Sequence, residues 1–211
     1  MSLVLPFLFG FIAAIVGISP PGLINLTAAK VSLANGKKSA LLFVTGALII
    51  IFFQTYISVL FARIIDKNQN IVVLFRVVGL FVFIILTIYF FKFANKPILQ
   101  NTTQNTKKGN FIAAGMGISA INFFPIPYYV FISITLASFE VFHFQIEQIL
   151  ALVIGVVLGS FLIFYCYIAF FNRIKNNANE TLLNMNKIIG SITGIVAVLT
   201  LFNILKYYFK F

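Results

Sequence analysis

The stretch Ser-Pro-Pro-Gly-Leu-Ile-Asn, residues 19–25, sets Pro20, Pro21 and Gly22 in the middle of an apolar run, with Asn25 three residues further on. A second apolar run reaches Asn122, Pro125 and Pro127 in Asn-Phe-Phe-Pro-Ile-Pro. The chemistry of both is backbone chemistry. Proline inside a helix lacks an N–H and clashes with the carbonyl one turn earlier, so each stretch frees polar groups, and glycine lets the chain turn and approach closely. In hydrocarbon such groups are tolerated only where they face protein or a water-filled cavity. A half-helix that starts there aims N–H groups and a positive dipole end into the cavity, which suits an anionic group such as an amino-acid carboxylate. A kink that serves only helix packing is the plainer alternative for one run; two kinks at matching positions favour a binding site. Asn25 is placed to bond either a freed carbonyl or a bound solute. Gln54, Thr55 and Tyr56 add polarity inside another apolar run and should face the interior, because an unpaired amide is costly there. Tyr128, Tyr129, Tyr165 and Tyr167 fit either an interior role or an interfacial anchor.

The elements that must position these residues are membrane helices. The chain is 61% hydrophobic and 9% charged, with a mean hydropathy of +1.07. An ordinary soluble domain is roughly 25% charged, so this composition cannot coat a water-soluble surface. Crossing about 30 Å of hydrocarbon takes roughly 20 apolar residues. Six segments meet that length: Leu3–Ala29, Ala40–Ala62, Ile71–Phe91, Phe111–Ala137, Ile149–Phe171 and Ile188–Leu205. The start, Met-Ser-Leu-Val-Leu-Pro, has no basic leader and reads as a retained span. The first and fourth segments have length to spare for a break. Residues 94–110 read as a cytoplasmic linker between a first unit, 1–93, and a second, 111–211.

The net charge of +11 points to no nucleic acid, since the basic residues stand singly or in pairs between apolar runs. Their distribution orients the helices. Lys30, Lys37, Lys38, Lys92, Lys96, Lys107, Lys108, Arg173, Lys175 and Lys187 fall on one side; Arg63, Lys67, Arg76, Lys206 and Lys210 fall on the other. The richer side is the cytoplasmic one, which puts both termini outside.

The halves echo each other. Phe11-Ile12-Ala13-Ala14 recurs as Phe111-Ile112-Ala113-Ala114, Gly17-Ile18-Ser19 as Gly117-Ile118-Ser119, and Gly46 corresponds to Gly155. Arg63-Ile64 and Arg173-Ile174 follow in order. Three spans per copy is odd, so the second copy enters from the opposite side. That is the inverted-repeat layout of secondary transporters, with substrate at the midplane where interrupted helices meet. The expected fold is an all-α integral membrane protein of six helices in two inverted three-helix repeats, with helices one and four interrupted at their prolines.

Other chemistries lack their residues. Cys166 is alone, which removes a dithiol relay and reads as a small packing residue. His143 is the sole histidine and reads as a loop residue. Asp66, Glu140, Glu147 and Glu180 all fall at span ends or in loops, so no buried acid is placed to relay protons, ligate a metal or catalyse. Lys30 and Arg76 are close enough to an interface to snorkel. No cofactor is implied. A membrane-embedded interaction protein is the remaining alternative, and the pairs Gly155–Gly159 and Gly190–Gly194 suit either helix packing or a homodimer.

Ser-Pro-Pro-Gly-Leu-Ile-Asn, followed by Ala-Asn-Gly-Lys-Lys-Ser-Ala and by Arg76-Val-Val-Gly, resembles the LysE/RhtB family of bacterial amino-acid exporters along essentially the whole chain. In that resemblance Pro21 and Gly22 match the first positions of a Pro-Gly-Pro-Asn-like signature, Asn25 its asparagine region, Gly36-Lys37-Lys38 the basic turn, and Asn122 the asparagine of an Asn-Pro element. Leu23 and Phe123 stand where the family has proline. The resemblance implies an inner-membrane protein that exports small amino acids or related metabolites, coupled to a proton or cation. The lack of a buried acid favours neutral, zwitterionic substrates.

Overall fold

The computed structural model describes residues 3–20, 22–66 and 110–173, together with isolated positions within 77–92 and 191–205. Among the described residues all regular structure is helical. The helices are α1 (Val4–Ile18), α2 (Leu23–Asn35), α3 (Lys37–Asp66), α4 (Phe111–Ile121), α5 (Pro125–Ser138) and α6 (Ile146–Arg173).

α3 and α6, of 30 and 28 residues, are each long and apolar enough to cross a membrane unaided. Both overrun the spans expected from hydrophobicity, Ala40–Ala62 and Ile149–Phe171. Apolarity marks only the hydrocarbon slab, whereas helical hydrogen bonding continues through the headgroups, where Lys37, Lys38, Arg63 and Asp66 are exposed at the ends of α3.

The expected first and fourth spans are each two helices. α1 and α2 meet at 76°, and α4 and α5 at 65°. The breaks fall at residues 19–22 and 122–124, where the prolines predict them. Pro21 itself lies outside the described residues, as do the linker 94–109, and with it the division into two units, and most of the third and sixth segments. Of those segments, Leu80 and Ala197 are buried in one cluster with Phe131 of α5. With each bent pair counted as one span, the described helices make an all-α integral membrane protein.

Two helix contacts dominate the packing, α1 on α6 and α3 on α4. Both are built on glycines that let backbones touch. A Cβ on Gly10 would overlap the carbonyl of Leu152, and one on Gly155 would overlap that of Phe7. Likewise a Cβ on Gly115 would overlap the carbonyl of Phe43, and one on Gly46 that of Ile112. The two contacts are the same contact made twice. Gly10 stands for Gly115, Phe7 for Ile112, Leu152 for Phe43 and Gly155 for Gly46. Gly10 and Gly115 are 105 residues apart, whereas the matching letters Phe11 and Phe111 are 100 apart, so the letter echo is out of register with the packing. Gly117, the letter partner of Gly17, confirms the mismatch: a Cβ there meets nothing, while one on Gly17 would strike the Tyr128 ring 2.7 Å away. The spacing of 105 instead superposes Pro20 on Pro125.

Neighbours in both contacts run parallel, since Phe7 and Phe11 meet Gly155 and Gly159 in order, and Gly46 and Gln54 meet Ile112 and Ser119 in order. A return crossing must separate parallel neighbours, a place the sequence assigns to Ile71–Phe91. Gly155 and Gly159 are thus spent on α1 inside the chain and are not a dimer face. Cys166 is exposed on α6, not packed, because that helix buries its opposite side against α1. His143 is exposed in the loop between α5 and α6, where its backbone N–H donates to Oε1 of Gln148 at 2.8 Å.

Candidate functional site

At the first break α1 ends at Ile18, and Pro20 and Pro21 have no N–H to return to the carbonyls of Val16 and Gly17. Side chains take the next three carbonyls. Nδ2 of Asn25 donates to the carbonyls of Ile18 and Pro20 at 2.6 and 2.8 Å, and the Tyr167 hydroxyl donates to that of Ser19 at 2.7 Å. Asn25, 3% exposed, therefore serves the first of the two roles open to it, sealing backbone. The donors are a different matter. Among the described residues the first bond of the α2 ladder runs from Leu26 N–H to Gly22 carbonyl at 3.0 Å, and the N-cap, Gly22, has no side chain to cap the helix. The N–H groups of Leu23, Ile24 and Asn25 precede that ladder, as the first donors of any helix do. Gly22 is exposed and extended, with φ −107° and ψ 176°, and a Cβ there would meet only the Pro20 carbonyl at 3.8 Å. The expected tight turn at this glycine is not made; close approach belongs to Gly10 and Gly17.

The second break reverses the pattern. Two of its carbonyls are sealed by α3: Nε2 of Gln54 donates to those of Ser119 and Asn122 at 3.2 and 3.0 Å. The donors of the first turn of α5 are used or missing, whereas the N–H groups of Phe123 and Phe124 make no bond among the described residues. Ile126 N–H reaches the Phe123 carbonyl at 3.2 Å and Tyr128 N–H reaches that of Phe124 at 3.4 Å. Pro125 and Pro127 fill the first turn of α5, where a helix has no use for the N–H that proline lacks. Asn122 contributes backbone: its N–H donates to the Ser119 carbonyl at 3.1 Å and its carbonyl receives Gln54.

α5 is tied to α1 near the first break by Tyr128, whose hydroxyl donates to the Ala13 carbonyl at 2.7 Å while its ring lies on Gly17. Tyr128 and Tyr167 are thus interior clasps, a role that residue type alone left level with interfacial anchoring. Tyr56 stacks on Phe52, with ring centroids 6.5 Å apart, and joins neither break. The structure thus gathers Pro20, Gly22 and Asn25 at one break, Gln54, Asn122, Pro125 and Pro127 at the other, and leaves Tyr56 apart. Ser119 and Gly17 went unnoticed as site residues, and Thr55 was read only as interior polarity; Gly17 had a signal in falling one turn ahead of the prolines.

A chain whose apolar spans break at depth and resume as half-helices, with the break carbonyls bonded from other helices, has the build of a polytopic membrane transporter. The family model of the LysE type translocators matches residues 15–203, and the chain belongs to that family. It is a multi-pass membrane transporter. No curated protein and no solved structure matches it.

Proposed function

We propose that the protein exports small zwitterionic amino acids, or closely related metabolites, across the bacterial inner membrane by alternating access. The observation that carries this reading is the N-terminus of α2 at the first break, where the N-cap Gly22 has no side chain to cap the helix and Asn25 and Tyr167 bond the carbonyls of Ile18, Ser19 and Pro20. A carboxylate there replaces water on three donors and meets the positive end of the helix dipole, as in other transporters built on broken helices. Asp66, Glu140 and Glu147 are exposed at helix ends or in a loop, so among the described residues no buried acid offers itself to a cationic side chain. This supports neutral substrates over lysine-like ones.

The equivalence of the α1–α6 and α3–α4 contacts supports two inverted copies that rock about the pair of breaks. Tyr128 and Tyr167 are then contacts between the copies that must part in one half of the cycle. Lys37 and Lys38 lie on the cytoplasmic side and both termini outside, and export is the direction implied by the family.

Counterflow of labelled alanine-like amino acids in proteoliposomes tests the reading. The native chain should exchange them and discriminate against lysine. Gly22→Leu should cut exchange by about tenfold or more, because its side chain lies over the donors. It should elute as the native protein does, since a Cβ at Gly22 meets no obstacle. Unchanged exchange in that variant, or none by the native chain for any zwitterion, sinks the proposal.

A further inference from the structure

We propose that the C-terminal end of α4, together with Gln54, Thr55 and Ser119, binds a small monovalent metal cation, with Na+ the best fit. The inference gives the exporter reading its coupling ion, and the site stands or falls by binding, independently of what is exported.

Three side-chain oxygens, Oε1 of Gln54, Oγ1 of Thr55 and Oγ of Ser119, are buried with no hydrogen-bond partner. Their residues are 7%, 0% and 0% exposed. Two features make the cluster unusual. Elsewhere in the interior, hydroxyls are satisfied locally: Ser58, Ser133 and Ser160 each donate to the carbonyl four residues earlier at 2.6, 2.7 and 2.7 Å. Thr55 and Ser119, also helical, make no such bond. The Gln54 amide, meanwhile, is fixed in orientation, because only its nitrogen can serve the carbonyls of Ser119 and Asn122; Oε1 is left facing away from them.

The three residues are neighbours. Gln54 and Thr55 are consecutive and both buried in α3, with Ile51 and Ser58 one turn before and after them. The Gln54 amide bonds the backbone of Ser119, which lies on α4 one turn beyond Gly115, the residue seated on Phe43 and Ala47 of α3. The place is also the C-terminal end of a half-helix. Asn122 N–H turns back to Ser119, so the ladder of α4 runs out there, and the carbonyls of Ile118, Ala120 and Ile121 lie in its last turn. The negative dipole end of α4 points the same way.

The chemistry selects the ligand. Every donor atom is a neutral oxygen, which suits a hard cation and not a soft transition metal. Among the described residues no carboxylate is present there to balance a divalent ion and no titratable side chain to carry a proton. A single positive charge surrounded by amide, hydroxyl and carbonyl dipoles is what remains, and broken helices present Na+ with the same kind of ligand. The two breaks then divide the labour: the first presents donors to an anion, the second oxygens to a cation.

The test uses the full-length protein purified in detergent, with radiolabelled Na+ binding measured alongside thermal unfolding in NaCl, KCl and choline chloride at constant ionic strength. Saturable Na+ binding is expected, with unfolding shifted upward by NaCl, less by KCl and not by choline. Thr55→Val and Ser119→Ala each remove one ligand and no volume to speak of. Both should unfold in choline as the native protein does, yet bind Na+ at least about tenfold more weakly. Identical unfolding in NaCl and choline with no saturable binding would overturn the proposal and assign the three oxygens to a buried water. Undiminished binding by the double variant would overturn it equally. Na+ binding by a protein that moves no amino acid in liposomes upholds the site and sinks the export reading; amino-acid exchange by a protein that binds no Na+ sinks the site alone.

Discussion

The two breaks differ in what they leave unbonded, and the contrast explains more than the bends do. At the first break the carbonyls of Ile18, Ser19 and Pro20 are sealed by Asn25 and Tyr167, and Gly22 leaves the start of α2 without a side-chain cap. At the second the donors of Asn122 and of the first turn of α5 are consumed or replaced by proline, two backbone carbonyls are sealed by Gln54, and three buried side-chain oxygens stay unbonded. Pro20 and Pro125 occupy equivalent places in the packing, so a shared proline does not dictate a shared chemistry. The polar side chain nearest each break does. Asn25 acts from within its own bent span, seven residues from Ile18, whereas Gln54 reaches across from α3.

The largest effects should come where the halves agree. Gly10 and Gly115 are pressed onto backbone carbonyls that cannot retreat, so Gly10→Leu and Gly115→Leu should each cost several kcal/mol, more than about 3, and abolish the monodisperse folded fraction on size-exclusion chromatography. Gly117→Leu, at the letter match of Gly17, should leave that fraction intact. If Gly117→Leu were as damaging as Gly115→Leu, the packing register and not the letter echo would be the wrong one.

Next come the two amides. Asn25→Leu orphans two carbonyls at a buried break and Gln54→Leu one, that of Asn122, at a cost of about 1–3 kcal/mol per carbonyl. The Ser119 carbonyl keeps the Asn122 N–H, so the smaller loss on detergent unfolding curves is expected for Gln54→Leu. A Gln54→Leu protein as stable as the native one would mean that the second break needs no seal, and the parallel between the breaks would end there.

Much of this was legible and some was not, for reasons that lie in particular residues. The prolines located both breaks because few other residues remove a backbone donor. Charge and hydropathy located α3 and α6 to within a turn. The equivalence of the halves was legible only in outline, since the repeated letters at Phe11 and Phe111 are a compositional echo in a chain rich in Phe, Ile and Ala, while the packing follows Gly10 and Gly115. Asn25 could not be assigned because bonding a solute and bonding a carbonyl require the same amide. Thr55 was legible as an interior polar residue and Ser119 as part of the repeated letters, but not that their hydroxyls lack a bond. A hydroxyl in an apolar helix normally bonds the preceding turn, and whether it does so is invisible in the letters.

The clasps sharpen the comparison at a smaller scale. Tyr128→Phe and Tyr167→Phe each delete one hydroxyl bond to the first span and should cost about 0.5–1.5 kcal/mol of stability. If the halves rock, loosening a clasp that must open each cycle should alter the exchange rate more than the stability change alone accounts for. Rates that track stability in both variants would leave these tyrosines as packing only.

The smallest effect is expected at Pro127, and it separates two accounts of why prolines are there. If proline makes the second break by denying α5 a hydrogen bond, Pro127→Ala should let α4 and α5 fuse and abolish function. The geometry argues the other way. Pro127 is exposed in the first turn of α5, where its N–H would have no acceptor, and the bend is held by Gln54 on the carbonyls of Ser119 and Asn122. Restoring the N–H therefore adds nothing, and the change should be worth less than about 1 kcal/mol, mostly through the unfolded chain. Exchange in proteoliposomes should be nearly that of the native protein, and loss of both exchange and the folded elution peak would show that proline, and not the amide from α3, keeps the second break open.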